Sequence, residues 1–201
     1  MNILHLDASG RHEDAQSRHL SQEMVDSLQN SHEGSVVYRD ISQGLPFMND
    51  ALIASMYMAA EKRSPAQEQI LSLSNTLVQE FLKADIVVLG IPIYNFTMPA
   101  AFKAYADLIA RKGLTFEYTD SGPRGLVGDK DIYVLITTGG TEVGSEDDFL
   151  SPWLRHFFAF LGIKQPLEII AADGLMMATN PEKKIKAVEA EIRTVIHDPA
   201  S

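Results

Sequence analysis

Three short stretches of this sequence combine small polar residues, glycine and aromatic residues in the way that ligand binding requires. Residues 7–21 read DASGRHEDAQSRHLS, residues 90–96 read GIPIYNF, and residues 137–140 read TTGG. The first offers hydroxyl and backbone N–H groups to an anion, and the second offers aromatic faces beside the amide of Asn95. The third offers glycine backbone that a ligand can approach closely. Together they predict contacts to a phosphate, a ring face and a ring edge, which are the parts of a flavin mononucleotide (FMN).

Each stretch also has an ordinary structural interpretation. Ser17 could be only the N-cap of a helix, which is the commonest role of serine at such a position. Tyr94 and Phe96 could be core aromatic residues, and Gly139 and Gly140 could serve only a tight turn. The first stretch has neither the G-x-G-x-x-G pattern of dinucleotide-binding domains nor the P-loop pattern. The residues alone therefore leave both interpretations open.

Five short apolar runs alternate with helical patterns along the chain. Most of the runs are almost continuously apolar, which is typical of parallel strands buried on both faces. We therefore predict one α/β domain over residues 1–201, with a flavodoxin-like doubly wound sheet of five parallel strands in the order 2-1-3-4-5. In such a sheet, ligands bind at the carboxyl ends of the strands, where the three stretches lie. The predicted strands are 2–7, 35–40, 85–90, 131–138 and 167–173.

The helical pattern before the third strand is the most sharply defined. Ser64, Pro65 and Gln67 form a predicted N-terminus, with a cap, a first-turn proline and a capping-box partner. We expect its inward stripe to consist of Ile70, Leu77 and Phe81. The helical pattern that follows the fourth predicted strand should end at Gly162. Two segments, 41–62 and 113–128, are additional to a plain five-stranded plan.

Composition excludes several classes of function. The 201 residues contain 17 Lys plus Arg and 27 Asp plus Glu, so the net charge of −10 disfavours nucleic-acid binding. With no cysteine, the chain has no disulfide, thiolate nucleophile or cysteine-bound metal. We predict no metal site, because no clear metal-ligand spacing occurs among the histidines, which are His5, His12, His19, His32, His156 and His197. No run is long enough to span a membrane, and we expect a soluble, cytoplasmic protein.

Longer motifs carry a resemblance to a known family. PIYNF at 92–96 is similar to the P-M-Y-N-F loop of the FMN-dependent NADH:quinone oxidoreductase and azoreductase family, with Ile93 in place of methionine. Residues 103–127, KAYADLIARKGLTFEYTDSGPRGLV, resemble that family's segment around R-x-G-x-T-F, and TTGG lies where the family has a Ser/Thr-x-Gly-Gly turn. The resemblance covers essentially the full length.

The resemblance implies the positions of the cofactor and the substrate. Ser9, Ala15, Gln16 and Ser17 would hold the FMN phosphate. The family often has Ser-x-Ser where this chain has Ala15-Gln16-Ser17, and Arg11 or Arg18 could help to compensate for the missing hydroxyl. The flavin ring would be lined by Ile93, Tyr94, Asn95, Phe96, Thr137, Thr138, Gly139 and Gly140. The substrate pocket, which lies at a homodimer interface in the family, would include Tyr118 and Phe160.

The reaction implied is a two-electron, ping-pong hydride transfer from NADH or NADPH through FMN to a quinone or an azo compound. No side chain is required as an obligatory acid or base, so we name no catalytic residue. The alternative is a non-enzymatic flavin protein, either an electron carrier or a redox-responsive binding protein. The two extra segments favour the enzyme, because they could enclose a substrate.

Overall fold

The computed structural model describes residues 1–197, and it describes the side chains of residues 1–195. Residues 198–201 of the predicted domain lie outside this part of the chain. The strands are β1 (Asn2–Asp7), β2 (Ser35–Asp40), β3 (Ile86–Pro92), β4 (Phe116–Thr119), β5 (Gly122–Gly125), β6 (Asp131–Thr137) and β7 (Glu168–Ala172). The helices are α1 (Gln16–Ser31), α2 (Asp50–Tyr57), α3 (Pro65–Lys83), α4 (Ala100–Ile109), α5 (Leu150–Leu161) and α6 (Pro181–His197), with a 3₁₀ turn at Ala60–Lys62.

Five strands form one parallel sheet in the order β2-β1-β3-β6-β7. The α/β architecture and the five-stranded parallel sheet are therefore as predicted. The order differs in detail from the predicted 2-1-3-4-5, because two further strands occur along the chain between β3 and β6 and change the numbering. These are β4 and β5, which pair only with each other as an antiparallel hairpin.

Helices cover both faces of the sheet. On one face, α1 and α6 contribute buried residues such as Leu20, Met24 and Ile192. On the other face, α3, α4 and α5 pack against the sheet through a larger cluster that includes Phe81 and Phe158. The two apolar layers explain why the central strand β3 is buried along its whole length.

Strand β2 is less buried than the central strands, with three exposed and three half-buried residues, because it lies at the edge of the sheet and has a hydrogen-bonded neighbour on one side only. One prediction about burial is wrong. In α3, Ile70 lies outside the buried stripe with 41% of its surface exposed, and the neighbouring Leu71 is buried in its place. Leu77 and Phe81 are buried as expected.

Local start and stop signals in the sequence are confirmed. Ser64 and Gln67 form a reciprocal capping box at the beginning of α3, followed by Pro65 at the first position. Gly162 ends α5 with a left-handed backbone, at φ 102°. A Cβ at Gly125 would overlap backbone atoms of Leu161 and Gly162, so the β4–β5 hairpin packs directly against the end of α5.

The two additional segments have regular structure of their own. Segment 41–62 contains α2, which buries Leu52 and Met56, and segment 113–128 contains the β4–β5 hairpin. Over residues 1–197, no helix combines the length and the apolar character that crossing a membrane requires.

Candidate functional site

The three loops singled out by the sequence meet in one cleft at the carboxyl ends of β1, β3 and β6. The volume of this cleft is about 280 Å³. Its walls come from the β1–α1 loop, the end of β3, the end of β6 and the loop after β7. The lining residues are Ser9, Arg11, Asp14, Ala15, Gln16, Ser17, Pro92, Ile93, Tyr94, Thr137, Thr138, Gly139, Leu175 and Met176.

The N-terminus of α1 opens onto this cleft without a side-chain cap. The N-cap residue is Ala15, which forms no capping hydrogen bond, and the first turn contains no acidic residue. Ser17 lies inside the first helical turn and is buried, so the interpretation of Ser17 as an N-cap is wrong. An uncapped helix N-terminus leaves backbone N–H groups and the positive end of the helix dipole for an anion.

Ser9 links the first loop to the second. Its Oγ accepts a hydrogen bond from the backbone N–H of Arg11 at 3.2 Å and lies 3.4 Å from the hydroxyl of Tyr94. The Ser9 side chain is buried. The loop that follows β1 and the loop that follows β3 are thus held at a fixed separation across the cleft.

The loop after β3 is a tight two-residue turn. Tyr94 and Thr97 exchange backbone hydrogen bonds of 2.9 and 3.2 Å, and the residues between them, Asn95 and Phe96, both have positive φ. Positive φ at both central positions is the pattern of a type I′ turn, which asparagine tolerates and phenylalanine does not favour. Tyr94 and Phe96 are exposed, so their interpretation as core aromatic residues is wrong.

The loop after β6 joins β3 on one side and the β7 loop on the other. The backbone N–H of Ile93 donates to the carbonyl of Thr137 at 2.9 Å, and that of Met176 donates to the carbonyl of Gly139 at 2.9 Å. Gly140 is exposed, and a Cβ added to it would meet no atom within 4 Å. Protein packing therefore does not explain a glycine at position 140.

Most of the predicted cofactor residues come together, and a few lie beside the cleft. Ser9, Ala15, Gln16, Ser17, Ile93, Tyr94, Thr137, Thr138 and Gly139 all line it, whereas Asn95, Phe96 and Gly140 follow lining residues in the chain but are not part of its wall. Leu175 and Met176 were not predicted. The sequence could have indicated them, because the loop after β7 also follows the carboxyl end of a strand in the same sheet.

The two arginines of the first loop have different environments. Arg11 lines the cleft. The Arg18 guanidinium is turned away to Asp40, whose Oδ1 lies 3.0 Å from Nη2, and to the carbonyls of Ser9 and Arg11. Burial alone would raise the pKa of the Asp40 carboxyl, but hydrogen bonds from Arg18 and Ser42 lower this pKa to about 2.

Tyr118 and Phe160 share a contact that the sequence could not reveal. Each packs against Phe116, with ring-centroid distances of 5.4 Å for Tyr118 and 4.8 Å for Phe160. Tyr118 is exposed on β4, and Phe160 is partly buried on α5. The structure therefore brings these two residues to one aromatic cluster, which is separate from the cleft lining.

No group of three or more His, Cys, Asp or Glu side chains among the described residues could hold a metal ion. His5 is buried, with Nε2 at 2.9 Å from Ser21 Oγ, and the other described histidines are exposed. The side chain of His197 lies outside the described part. A larger groove of about 640 Å³ lies near the amino ends of β1 and β2, lined by residues such as Asn2, Ser35 and Lys83, and it contains none of the predicted site residues.

Known proteins share this sequence and this fold. A family model described as the flavodoxin-like fold matches residues 1–196. The chain is 42% identical, over 96% of its length and 98% of the relative, to the FMN-dependent NADH:quinone oxidoreductase of Erythrobacter litoralis. It is 41% identical, with the same coverage, to FMN-dependent NADH:quinone oxidoreductase 1 of a Jannaschia species.

A crystal structure of an azoreductase from Bacillus anthracis str. Sterne superimposes on the chain with a TM-score of 0.87. The sequence identity is 28%, and the match covers 98% of each chain. Agreement in family model, sequence and three-dimensional structure therefore extends over nearly the whole length. The chain belongs to the flavodoxin-like family of FMN-dependent NADH:quinone oxidoreductases.

Proposed function

We propose that this protein is an FMN-dependent NADH:quinone oxidoreductase that also reduces azo compounds. The observation that carries this function is the single cleft in which an uncapped helix N-terminus, the turn after β3 and the loop after β6 meet. The name of the relatives that match 96% of the chain is the independent support. Under this proposal, residues 1–201 work as one flavodoxin-like domain in the cytoplasm.

The residues at the α1 end of the cleft fit a phosphate group. Ser9 supplies a hydroxyl, and the backbone of Ala15, Gln16 and Ser17 supplies the helix N-terminus, which the structure leaves uncapped. The exposed Arg11 adds a cation to the cleft wall. These groups would hold the FMN phosphate, and Ala15 contributes backbone only, so the missing hydroxyl there costs no N–H donor.

The residues at the other end of the cleft fit a flat ring with polar edges. Ile93 and Tyr94 give one wall, and Thr137, Thr138 and Gly139 give another. Asn95, Phe96 and Gly140 continue these two loops beyond the wall, where they would contact the border of the ring. The open space around Gly140 agrees with a glycine kept for the approach of a ligand.

The chemistry that FMN would supply in this cleft is acceptance of a hydride from NADH or NADPH and two-electron reduction of a quinone or an azo compound, with protons from solvent or a nearby polar group. The protein's contribution is to hold the phosphate, fix the ring and leave one face for a flat substrate. Backbone N–H groups in the β3 and β6 loops would stabilise negative charge on the ring. Because the redox chemistry would take place on the flavin, no side chain is required as an obligatory acid or base.

The substrate wall is proposed to come from a second copy of the chain. Tyr118 and Phe160 form their aromatic cluster around Phe116 and do not line the cleft of their own chain. Tyr118 keeps 59% of its surface exposed. In a homodimer, this cluster would cover the cleft of the neighbouring subunit and select flat aromatic quinones and azo compounds.

The non-enzymatic alternative is not favoured. The two relatives at 41–42% identity are named as oxidoreductases. The chain also carries α2 and the β4–β5 hairpin, which are additional to the five-stranded plan and give it elements that could enclose a substrate. An electron carrier would instead leave the flavin edge accessible to a protein partner.

The deciding experiment is a visible spectrum of the purified protein, followed by anaerobic titration with NADH and, separately, NADPH. We expect flavin absorption bands that bleach on addition of NADH and return on addition of a quinone. Sustained NADH oxidation that depends on added quinone or azo dye would complete the assignment. A protein that binds FMN but shows no such turnover would instead be a carrier, and a protein that stays colourless with excess FMN would contradict the proposal. Sedimentation analysis tests the homodimer.

A further inference from the structure

Arg18 makes a hydrogen-bond network that the sequence did not predict and that the proposed function does not use. Its Nε donates to the carbonyl of Arg11 at 3.0 Å, and its Nη2 donates to the carbonyl of Ser9 at 2.7 Å. Nη1 donates to the hydroxyl of Tyr38 at 2.9 Å, while Nη2 also contacts Asp40 and Ser42 at 3.0 Å. All three nitrogens of the guanidinium are therefore engaged by the protein itself.

The position of Arg18 in the helix is unfavourable unless it has a compensating role. Arg18 is the third residue of α1, where a positive charge is unfavourable because it faces the positive end of the helix dipole. The first turn also faces the proposed phosphate site, where a cation would be expected to point at the anion. Instead, the side chain is only 14% exposed and does not line the cleft.

The network fixes the shape of the loop that would hold the phosphate. Carbonyl oxygens carry partial negative charge, so a free carbonyl close to a phosphate would repel it. Arg18 donates hydrogen bonds to the carbonyls of Ser9 and Arg11, the residues on either side of Gly10. Both carbonyl oxygens therefore point towards the guanidinium. Ser9 Oγ in turn accepts from the Arg11 N–H, which closes the same three-residue segment.

Arg18 also compensates two carboxylates beside the site. Asp40 Oδ1 lies 3.0 Å from the guanidinium, and Asp7 Oδ2 lies 3.7 Å from it, with side-chain exposures of 20% and 3%. Loss of Arg18 would leave both carboxylates without their cation, one of them almost fully buried. Their uncompensated charge would then act on any anion bound at the N-terminus of α1.

We propose that Arg18 is the positioning residue that makes this site select a phosphorylated flavin over an unphosphorylated one. It does so without touching the phosphate, by orienting the Ser9–Arg11 segment and by neutralising Asp7 and Asp40. The inference rests on the proposed function, because it concerns the phosphate end of the same cleft. Lysine cannot reproduce the role, since one ammonium group cannot match the planar fork of the guanidinium.

The test compares two ligands that differ only in the phosphate. Apoprotein is titrated with FMN and with riboflavin, using the quenching of flavin fluorescence, for the wild type, Arg18→Gln and Arg18→Lys. Arg39→Gln is the matched control, because Arg39 pairs with Glu80 away from the cleft. We expect Arg18→Gln to weaken FMN binding by about 30-fold and riboflavin binding by less than about threefold. Arg18→Lys should fall between this variant and the wild type, and Arg39→Gln should leave both affinities unchanged.

The ratio of the two affinities separates positioning from general damage. An equal loss for FMN and riboflavin, or no loss for either in a folded variant, overturns the role of Arg18. If Arg18→Gln fails to fold, the same ratio measured for Arg18→Lys decides the matter. Failure of the wild type to bind FMN would instead contradict the proposed function. The wild-type titration therefore tests the proposed function, and the titrations of the Arg18 variants test the role of Arg18.

Discussion

Asn95 and Phe96 are consecutive residues with left-handed backbones, at φ 49° and φ 71°, and they form the whole of the turn between Tyr94 and Thr97. For phenylalanine, this conformation costs about 1–2 kcal/mol. Core packing does not offset the cost, because Phe96 keeps 53% of its surface exposed. Strain held at the mouth of a cleft is a sign of function, and we infer that this turn is shaped for the ring of the cofactor.

The first prediction concerns charge at this turn. Aspartate shares the tolerance of asparagine for left-handed backbone, so Asn95→Asp should keep the turn while adding a negative charge beside the ring. Two unit charges about 8 Å apart at an effective dielectric constant of 20 interact by about 2 kcal/mol, so this charge would disfavour the negative charge that the ring gains on reduction. We expect the rate of flavin reduction by NADH, followed by anaerobic stopped-flow absorbance, to fall by about tenfold or more.

Asn95→Gly is the control for this change, since glycine also accepts positive φ and carries no charge. It should reduce the rate far less than Asn95→Asp does. Reduction at the wild-type rate in the aspartate variant, with FMN fully bound, would show that position 95 lies away from the ring.

The second prediction concerns Gly140. A side chain there meets no protein atom, so Gly140→Val should leave the free energy of unfolding within about 0.5 kcal/mol of wild type. If the backbone at this position approaches the flavin, the same variant should lose FMN occupancy, and Gly140→Ala should lose less. Flavin content per protein, read from the absorbance ratio after dialysis, measures this. Full occupancy in the valine variant would make the glycine unimportant for binding.

The sequence was informative where one residue decides the local structure. Ser64 with Gln67 fixed the beginning of α3, and Gly162 fixed the end of α5, because caps are read from side chains only a few positions apart. Helical periodicity was less exact, since Ile70 and Leu71 differ by one position and only the packing of α3 on the sheet selects the buried one. The edge position of β2 is likewise a property of the assembled sheet.

The candidate site shows the same division. The loop residues at the carboxyl ends of the strands were predictable, because parallel strands bring those ends to one edge. The hydrogen bond from Arg18 to the Ser9 carbonyl was not predictable, since the orientation of Arg18 depends on Asp40, which lies 22 positions further along the chain. The cluster of Tyr118 and Phe160 around Phe116 was hidden for the same reason, because it joins a hairpin to a helix that comes later in the chain.

The third prediction concerns acid stability. The pKa of Asp40 is about 2 in the folded protein, below the ordinary aspartate value of 3.8, so the ionised form favours the folded state. Its contribution of roughly 2 kcal/mol is present above about pH 4 and is lost as the pH falls towards 2. Asp40→Asn should therefore lower the free energy of unfolding at pH 7 and flatten its decline in acid. Urea titrations at several pH values measure both effects, and parallel curves for the two proteins would contradict this role of Asp40.

The last prediction links the hairpin to the substrate. Gly125 leaves no room for a Cβ against Leu161 and Gly162, and the backbone N–H of Val127 donates to the Leu161 carbonyl at 3.0 Å. Gly125→Ala should therefore push the β4–β5 hairpin off the end of α5. Because Tyr118 is on the hairpin and Phe160 is on α5, their shared packing on Phe116 should be lost.

We expect Gly125→Ala to raise the KM for a quinone by about tenfold, equivalent to about 1.4 kcal/mol of lost binding, while FMN affinity stays close to wild type. Arg124→Ala is the control, since it removes only the exposed ion pair with Glu117 in the same hairpin, which is worth at most about 1 kcal/mol. Steady-state kinetics with saturating NADH give the KM. If Gly125→Ala lowers Tm without changing the KM for the quinone, the hairpin supports the fold alone, and the substrate wall must lie elsewhere.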